Sequence, residues 1–328
     1  MTPLSGFSAA LMRQVGNVVA PGGARGSLLV LIFHRVLPQT DPLMPGEPDT
    51  AAFAAQMDVI RATCTVLPLS EAVERLYSGS LPERATCITF DDGYANNLTM
   101  AAPILKARGL PATVFVATSF LNGGRMWNDT VIESVRQAGE SLDLASIGLG
   151  AHSLPDVPAR RRAIDTIIGQ IKYLDPAERP GKAAAVADCA RATPPSDLMM
   201  TDDQVRQLPR EGIEVGAHTL THPILARTNP DDAWREIAGS KTVLEALTGT
   251  QVKLFAYPNG RPRRDYERAH VEMVRKAGFT AAVSTAWGAG QRTSDRYQLP
   301  RMLPWDKSPL KYAARLLRTH RERHAETV

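Results

Sequence analysis

The stretch ITFDDGY, residues 88–94, places two adjacent carboxylates at the end of an apolar run and follows them with a glycine. Within a regular strand the two aspartates would point to opposite faces of the sheet. Gly93 allows the chain to turn, so that Asp91 and Asp92 can both approach one site. For this stretch taken alone, a simple turn or a helix cap is an equally good interpretation.

A second stretch, HTLTH at residues 218–222, carries His218 and His222 four positions apart. Pro223 and the strand-like residues 213–217 favour a loop after a strand over a helix for this pair. Two neutral imidazoles and one carboxylate commonly hold Zn²⁺ with one coordination position left open. A second carboxylate can then act as a base on a water molecule. For the pair alone, one packed and one surface histidine is the alternative.

Apolar and β-branched runs alternate with helix-like segments along most of the chain, which favours a parallel sheet, either open or closed into a barrel. Ser70 is predicted to cap a helix that continues through Leu76. We predict strands at residues 27–34, 86–90, 113–117, 213–217, 253–257 and 280–284, and helices at residues 50–63, 96–108, 230–247, 266–277 and 309–324.

Polar side chains gather at the ends of these predicted strands. In parallel sheets and barrels, functional residues collect at the carboxyl ends of the strands. The residues at or just past such ends are His34, Asp91, Asp92, His218, His222 and Tyr257. Their convergence is stronger evidence for a functional site than either motif alone.

The composition is that of a globular protein. The chain has 328 residues, of which 44% are hydrophobic and 22% charged, and its net charge is +4. These values argue against a mainly disordered chain, and the mild positive charge does not favour nucleic acid as a partner. Cys64, Cys87 and Cys189 lack the spacing of a metal or redox site and indicate reduced thiols.

The chain is predicted to have three regions: a helical N-terminal extension at residues 1–26, a barrel at residues 27–306 with a helical insertion at about residues 121–200, and a basic C-terminal helix at residues 307–328. Residues 1–19 lack the long apolar core of a secretory signal, so we predict a cytoplasmic location. An amphipathic helix within residues 4–19 makes peripheral contact with the inner membrane an open alternative.

The motifs TFDDG, residues 89–93, and HTxxH, residues 218–222, resemble the first two motifs of the polysaccharide deacetylase family, carbohydrate esterase family 4. The resemblance covers roughly residues 28–305 without the insertion. It implies a distorted (β/α)₇ barrel that removes acetyl groups from N-acetylated sugars with a divalent metal, usually zinc. It also implies Asp91 as the general base. The implied metal ligands are Asp92, His218 and His222.

The third family motif contains an arginine that orients the catalytic carboxylate, and Ala256 occupies its place in this chain. We therefore predict that Arg301, after the last strand-like segment, replaces the missing arginine, with Arg261 as the second candidate. The segments YPNG, residues 257–260, and FHRV, residues 33–36, resemble the branch of the family that acts on exopolysaccharides and poly-N-acetylglucosamine.

The family's general acid is a histidine, either late in the chain or in the early FHRV segment. His320 and His324 lie in the predicted basic C-terminal helix, outside the barrel strands. The resemblance therefore implies that His34 protonates the leaving amine. A structural histidine bonded to backbone is the alternative for His34.

Three aromatic residues are predicted to bind or orient the substrate: Tyr257, Trp127 and Trp305. Aromatic rings stack on sugar faces, and Trp127 opens the insertion while Trp305 follows the last core segment. For both tryptophans, packing at the rim of the barrel is an equally good interpretation.

Together these residues predict a metal-dependent de-N-acetylase of an N-acetylated glycan or oligosaccharide precursor, with Zn²⁺ as the expected ion and Co²⁺ or Ni²⁺ as substitutes. Two alternatives remain. One is a glycan-binding barrel that lacks activity because the motif arginine is missing. The other is a barrel glycoside hydrolase that pairs Asp91 with another carboxylate. The expected partner is the glycan substrate, without an obligate protein partner.

Overall fold

The computed structural model describes residues 6–175, 177–304, 306, 308–322 and 325–328. The strands are β1 Ser27–Phe33, β2 Thr65–Val66, β3 Ala85–Phe90, β4 Ala112–Val116, β5 Ser141–Leu144, β6 Gly150–Ser153, β7 Ile213–Ala217, β8 Leu254–Ala256, β9 Ala281–Val283 and β10 Gly290–Gln291. The helices are α1 Gly6–Val19, α2 Thr50–Thr63, α3 Leu69–Ser78, α4 Ala102–Lys106, α5 Trp127–Gln137, α6 Val157–Ile171, α7 Glu178–Ala190, α8 Asp202–Gln207, α9 Pro230–Thr248, α10 Arg268–Lys276 and α11 Pro309–Thr319.

A parallel sheet forms the centre of the protein, with the strand order β1-β3-β4-β7-β8-β9. Residues 299–302 close this sheet, because Leu299 bridges Val283 on β9 and Met302 bridges Leu31 on β1, both in parallel orientation. The backbone N–H of Met302 donates to the Val30 carbonyl at 2.8 Å. Six strands and this closing segment make seven parallel members, which confirms the predicted distorted (β/α)₇ barrel.

Alternation along the strands separates two apolar layers. Residues such as Val30 and Cys87 belong to an interior cluster that also includes one face of α3. Their neighbours Leu31 and Ile88 belong to a larger cluster under the outer helices. Because successive side chains of a strand point to opposite faces, this parity decides which residues at the strand ends can reach the barrel interior.

The chain between β4 and β7, where the sequence predicts a helical insertion at about residues 121–200, departs from the strand–helix rhythm. It contains α5, the antiparallel hairpin β5–β6, α6 and α7. These elements enclose an apolar cluster of their own, which includes Val131, Leu142, Ile167 and Val186. The segment therefore has its own packing core beside the carboxyl ends of the barrel strands.

One local prediction is confirmed in large part and another is wrong. The predicted helix at residues 96–108 is helical as far as residue 106, but it contains a π-helical turn, Asn97–Ala101, before the short α4. Pro103 has no N–H to donate to the carbonyl four residues earlier, which favours the wider turn before it. Ser70 does not cap α3, because Pro68 is the N-cap residue and the Ser70 hydroxyl bonds Glu214 instead.

Helix α1 leaves an apolar stripe exposed, formed by Leu11, Val15 and Val18. Its opposite side packs on α2 and α11. Among the described residues, no helix combines the length and the apolar character needed to cross a membrane. Peripheral membrane contact and a cytoplasmic location stay predictions.

Gly93 has a left-handed backbone (φ 86°), and a Cβ atom there would lie 2.9 Å from Val116 Cγ1. Gly109 is also left-handed (φ 62°) but has open space around its Cα. We expect Gly109→Ala to cost about 1 kcal/mol through the backbone alone. Gly93→Ala should cost clearly more, because Val116 must also move. Urea unfolding measures both, and equal losses would contradict the steric role of Gly93.

Candidate active site

Three potential metal ligands meet at the carboxyl ends of β3 and β7. Asp92 Oδ1 lies 3.5 Å from His218 Nε2 and 3.4 Å from His222 Nε2. The ligand atoms of the three residues all lie within 4.8 Å of one another. Asp92 Oδ1 is buried and has no hydrogen-bond partner among the described residues. A buried carboxylate oxygen left unpaired beside two imidazole nitrogens fits a cation.

The tautomer of His218 suits this role. Its Nδ1 lies 2.8 Å from the Ala256 carbonyl oxygen, which can only accept a hydrogen bond, so Nδ1 carries the proton. In the neutral ring the lone pair is then on Nε2, the atom that faces Asp92. A backbone acceptor of this kind is the usual partner that orients a metal-binding histidine.

The loop that carries the histidines has an unusual backbone, and side chains hold it in place. Thr219 and His222 have φ angles of 66° and 54°, in the left-handed region that side chains disfavour. The His222 N–H donates to the Thr219 hydroxyl at 3.0 Å. The Glu236 carboxylate of α9 accepts the N–H groups of Leu220 and Thr221 at 2.8 Å each. Backbone strain of this kind concentrates at functional sites.

Asp91 belongs to the interior face of β3, and Arg301 holds it. The guanidinium donates to both carboxylate oxygens, at 2.7 and 2.8 Å, and its Nε donates to the Ser284 carbonyl at 2.9 Å. Arg301 is 1% exposed. The structure thus places the sequence-predicted Arg301 on Asp91, whereas the Arg261 side chain is exposed.

The charges around these groups shift their pKa values. Burial raises the pKa of Asp91, but the charge and hydrogen bonds of Arg301, together with the nearby histidines His218 and His34, outweigh it, so the net pKa is lowered and Asp91 is a carboxylate near neutral pH. Burial lowers the pKa of His222 to about 4. Burial acts in the same direction on His218, but the Asp91 and Asp92 carboxylates raise its pKa.

A cavity of about 380 Å³ opens above these groups, and His34 lines it together with Asp91 and all three potential ligands. His34 lies two and four positions after Ile32 and Val30, so the alternation of the strand places it on the same interior face. Ile32 also lines the cavity. The Asn97 side chain donates to the His34 carbonyl at 2.8 Å and fixes the chain after β1. The structure therefore brings His34 into the same cleft as the aspartates.

The prediction for the Tyr257 side chain is wrong. Tyr257 is fully buried and stacks on Tyr266, with ring centroids 3.9 Å apart. It has the outward parity of Phe255 on β8, while Ala256 faces the barrel interior. Tyr257 does lie just past a strand end. Because side chains alternate between the two faces of the strand, however, its ring points into the core under the outer helices and away from the cavity.

The two predicted tryptophans differ in outcome. Trp127 begins α5 and lines the cavity, with a half-buried side chain. Trp305 lies outside the described residues.

His320, which the sequence analysis does not favour as the general acid, is buried, and its Nδ1 lies 3.0 Å from the Ser27 hydroxyl.

Two basic residues that line the cavity, Lys172 and Arg179, were not predicted from the sequence, whereas Asn259 belongs to the YPNG segment. Asn259 follows β8 and has a left-handed backbone (φ 58°). The sequence signal for this turn is the Asn-Gly pair of the YPNG segment, because asparagine tolerates the left-handed conformation. Lys172 and Arg179 come from the insertion, where no motif marks them.

Comparison with known proteins places the chain in a family. The family model described as polysaccharide deacetylase matches residues 78–173 and 180–282, more than half of the chain. The protein belongs to the polysaccharide deacetylase family. The matched residues include Asp91, Asp92, His218 and His222, whereas His34 lies before the matched region.

Relatives of this deacetylase family member are distant. A Bacillus subtilis (strain 168) protein named as a polysaccharide deacetylase, YxkH, is 23% identical over 220 residues, which are 67% of this chain and 51% of that protein. The chain thus spans about half the length of that relative. The structure of the deacetylase PplD of Streptococcus pyogenes, solved in complex with acetate, has a TM-score of 0.59 at 19% identity. The alignment covers 90% of this chain and 99% of the PplD chain.

IcaB from Ammonifex degensii has a TM-score of 0.58 at 20% identity, over 91% of this chain and 98% of that one. At these identities the two solved structures establish the shared fold, and the chemistry must be argued from the cavity itself.

The Asp91–Arg301 pair can be tested by a double-mutant cycle in chelator-treated protein. Each single change, Asp91→Asn or Arg301→Met, leaves one buried group without its partner and should cost about 3–5 kcal/mol of unfolding free energy. The double variant should cost much less than the sum. The exposed pair Arg75–Glu71 of α3 is the control and should couple by at most about 1 kcal/mol. Additive losses at Asp91 and Arg301 would contradict the pairing.

Proposed function

We propose that the protein catalyses metal-dependent hydrolytic de-N-acetylation of an N-acetylated glycan or oligosaccharide precursor. One observation carries the proposal: a carboxylate held by Arg301 adjoins the Asp92, His218 and His222 cluster, and His34 lines the same cavity. Zn²⁺ is the proposed ion, because imidazole and carboxylate ligands in this number suit it. Co²⁺ and Ni²⁺ fit the same donors.

Asp92, His218 and His222 would hold the divalent cation, which when bound would supply a Lewis acid for the acetyl carbonyl and lower the pKa of the attacking water. Asp91, ionised and oriented by Arg301, accepts the proton of the attacking water. The water oxygen bonds to the acetyl carbon, and the bond from that carbon to the sugar nitrogen breaks. His34 protonates the departing amine, and acetate remains as the second product.

The developing oxyanion needs a donor, and the loop after β8 contains a candidate. The Tyr257 N–H already donates to the Val283 carbonyl at 3.2 Å, and Pro258 has no N–H. Asn259, which lines the cavity, is therefore the donor that we propose within this loop. A backbone donor aimed at the oxyanion position is a common source of transition-state stabilisation.

The cavity favours this reaction over glycoside hydrolysis. Glycosidases use two carboxyl groups that flank the bond from separate positions. Among the described residues that line the cavity, the carboxylates are Asp91 and Asp92, which are adjacent in the chain and do not face each other across the cavity. A purely binding barrel is disfavoured by the base and its arginine, which a binding site does not need.

We expect chelation to abolish acetate release and Zn²⁺ to restore it. His218→Ala should lose bound metal by elemental analysis, because one of three ligands is gone. Asp91→Asn should retain metal but lose turnover, since an amide cannot accept the proton. His152→Ala, in the β5–β6 hairpin, is the matched control and should retain both. Full activity in metal-stripped protein would overturn the mechanism.

His34→Ala should retain metal and lower the turnover of an N-acetylated sugar by ~10²–10⁴-fold, the usual contribution of a positioned acid. The loss should be small on 4-nitrophenyl acetate, whose leaving group needs no proton. Asp91→Asn should slow both substrates, because both need the activated water. Equal losses on the two substrates in His34→Ala would remove His34 from the role of acid.

A further inference from the structure

Arg179 of α7 is a buried cation that the proposed chemistry does not use. It is 4% exposed, and its Nη2 has no hydrogen-bond partner among the described residues. Its Nε donates to the Leu174 carbonyl at 3.1 Å, which fixes the base of the guanidinium. Among the described residues, no carboxylate lies within ion-pair distance of it; Asp175 raises its pKa from a longer distance but does not offset burial, which lowers it. A buried cation without a counter-ion is unfavourable unless a ligand supplies the missing charge.

The position of Arg179 indicates where that ligand would bind. Arg179 lines the catalytic cavity of about 380 Å³ and also a neighbouring cavity of about 560 Å³. Trp127 and His222 line both cavities too, so the two spaces adjoin at this wall. Lys172 lines the catalytic cavity and adds a second positive charge near Arg179.

The neighbouring cavity is mostly apolar. Arg125 also lines this cavity, but its guanidinium already donates hydrogen bonds to the Pro194 and Pro195 carbonyls and to the Thr130 hydroxyl. Asp188 lies on its exposed side. The apolar part of its lining includes Phe120, Pro180, Ala183, Ala184, Ala187 and Pro194, besides Trp127.

We propose that Arg179, assisted by Lys172, binds a phosphodiester that joins the N-acetylated sugar to an apolar alcohol, whose chain enters the neighbouring cavity. The proposal rests on the proposed deacetylase function and names the substrate class of that site. A bridging anion fits the wall between two cavities, since one side leads to the ligand cluster and the other to apolar surface. A carboxylate on the sugar ring would satisfy the charge but would not link the two spaces.

Binding is tested by calorimetry on chelator-treated protein, so that turnover does not interfere. The probes are decyl N-acetylglucosaminyl phosphate, which carries the phosphodiester, and the neutral decyl N-acetylglucosaminide. We expect the phosphodiester to bind at least ~10-fold more tightly, and Arg179→Gln to remove this preference. Arg161→Gln removes the same charge from an exposed position of α6 and should keep the preference. Equal binding of the two probes, or an unchanged preference in Arg179→Gln, overturns the proposal.

Further variants keep the test decisive if Arg179→Gln does not fold. Lys172→Gln should reduce the preference severalfold. Ala184→Phe fills the neighbouring cavity from an exposed position of α7, so it should weaken the decyl phosphodiester but not N-acetylglucosamine 1-phosphate. An unchanged affinity for the decyl probe there would refute the apolar subsite.

A third probe, the decyl glycoside of N-acetylglucosaminuronic acid, carries a carboxylate instead of the phosphodiester, and equally tight binding of it would overturn the phosphodiester assignment.

Two outcomes separate this inference from the proposed function. If the preference depends on Arg179 but zinc-loaded protein releases no acetate from any probe, the deacetylase proposal fails while the anion site stands. If the protein releases acetate but shows no preference for the phosphodiester, the anion site fails while the deacetylase proposal stands.

Discussion

The site depends on one buried ion pair, between Asp91 at the end of β3 and Arg301 on the segment that closes the barrel. The guanidinium also donates to the carbonyl of Ser284, just past β9. It therefore joins three neighbouring parts of the ring at the rim where the potential ligands lie. Because both partners are almost fully buried, neither can lose the other without leaving an unpaired charge in the barrel interior.

This pair explains how the protein tolerates the loss of the motif arginine. Ala256 occupies that position and faces the barrel interior, where its small side chain leaves room for a guanidinium from elsewhere. Its carbonyl accepts the proton of His218 Nδ1. The end of β8 thus fixes the ring of one potential ligand, while Arg301, from the closing segment, holds the Asp91 carboxylate. The guanidinium on Asp91 therefore comes from a different strand end than the one that the family motif predicts.

Much of this arrangement was predictable from local sequence, because apolar runs ended by turn residues mark the strands and the two motifs stand at their ends. Tyr257 was mispredicted because a strand end specifies the rim of a barrel but not the direction of a side chain, which depends on parity. Arg179 was missed for a different reason. Its burial and lack of a partner arise from the packing of the insertion, and no spacing in the sequence signals them.

The adjacent carboxylates acquire different roles from the backbone alone. Asp91 continues the interior parity of β3 and meets Arg301, so it is charged and oriented. Asp92 has a left-handed φ of 76°, which turns its side chain out of that alternation and towards the two histidines. Gly93 makes the turn possible, since any Cβ there would press on Val116. A proposed base and a proposed metal ligand can therefore be neighbours in sequence, because one strained residue separates their directions: Asp91 turns to Arg301 and Asp92 turns to His222, while His218 lies beside both carboxylates.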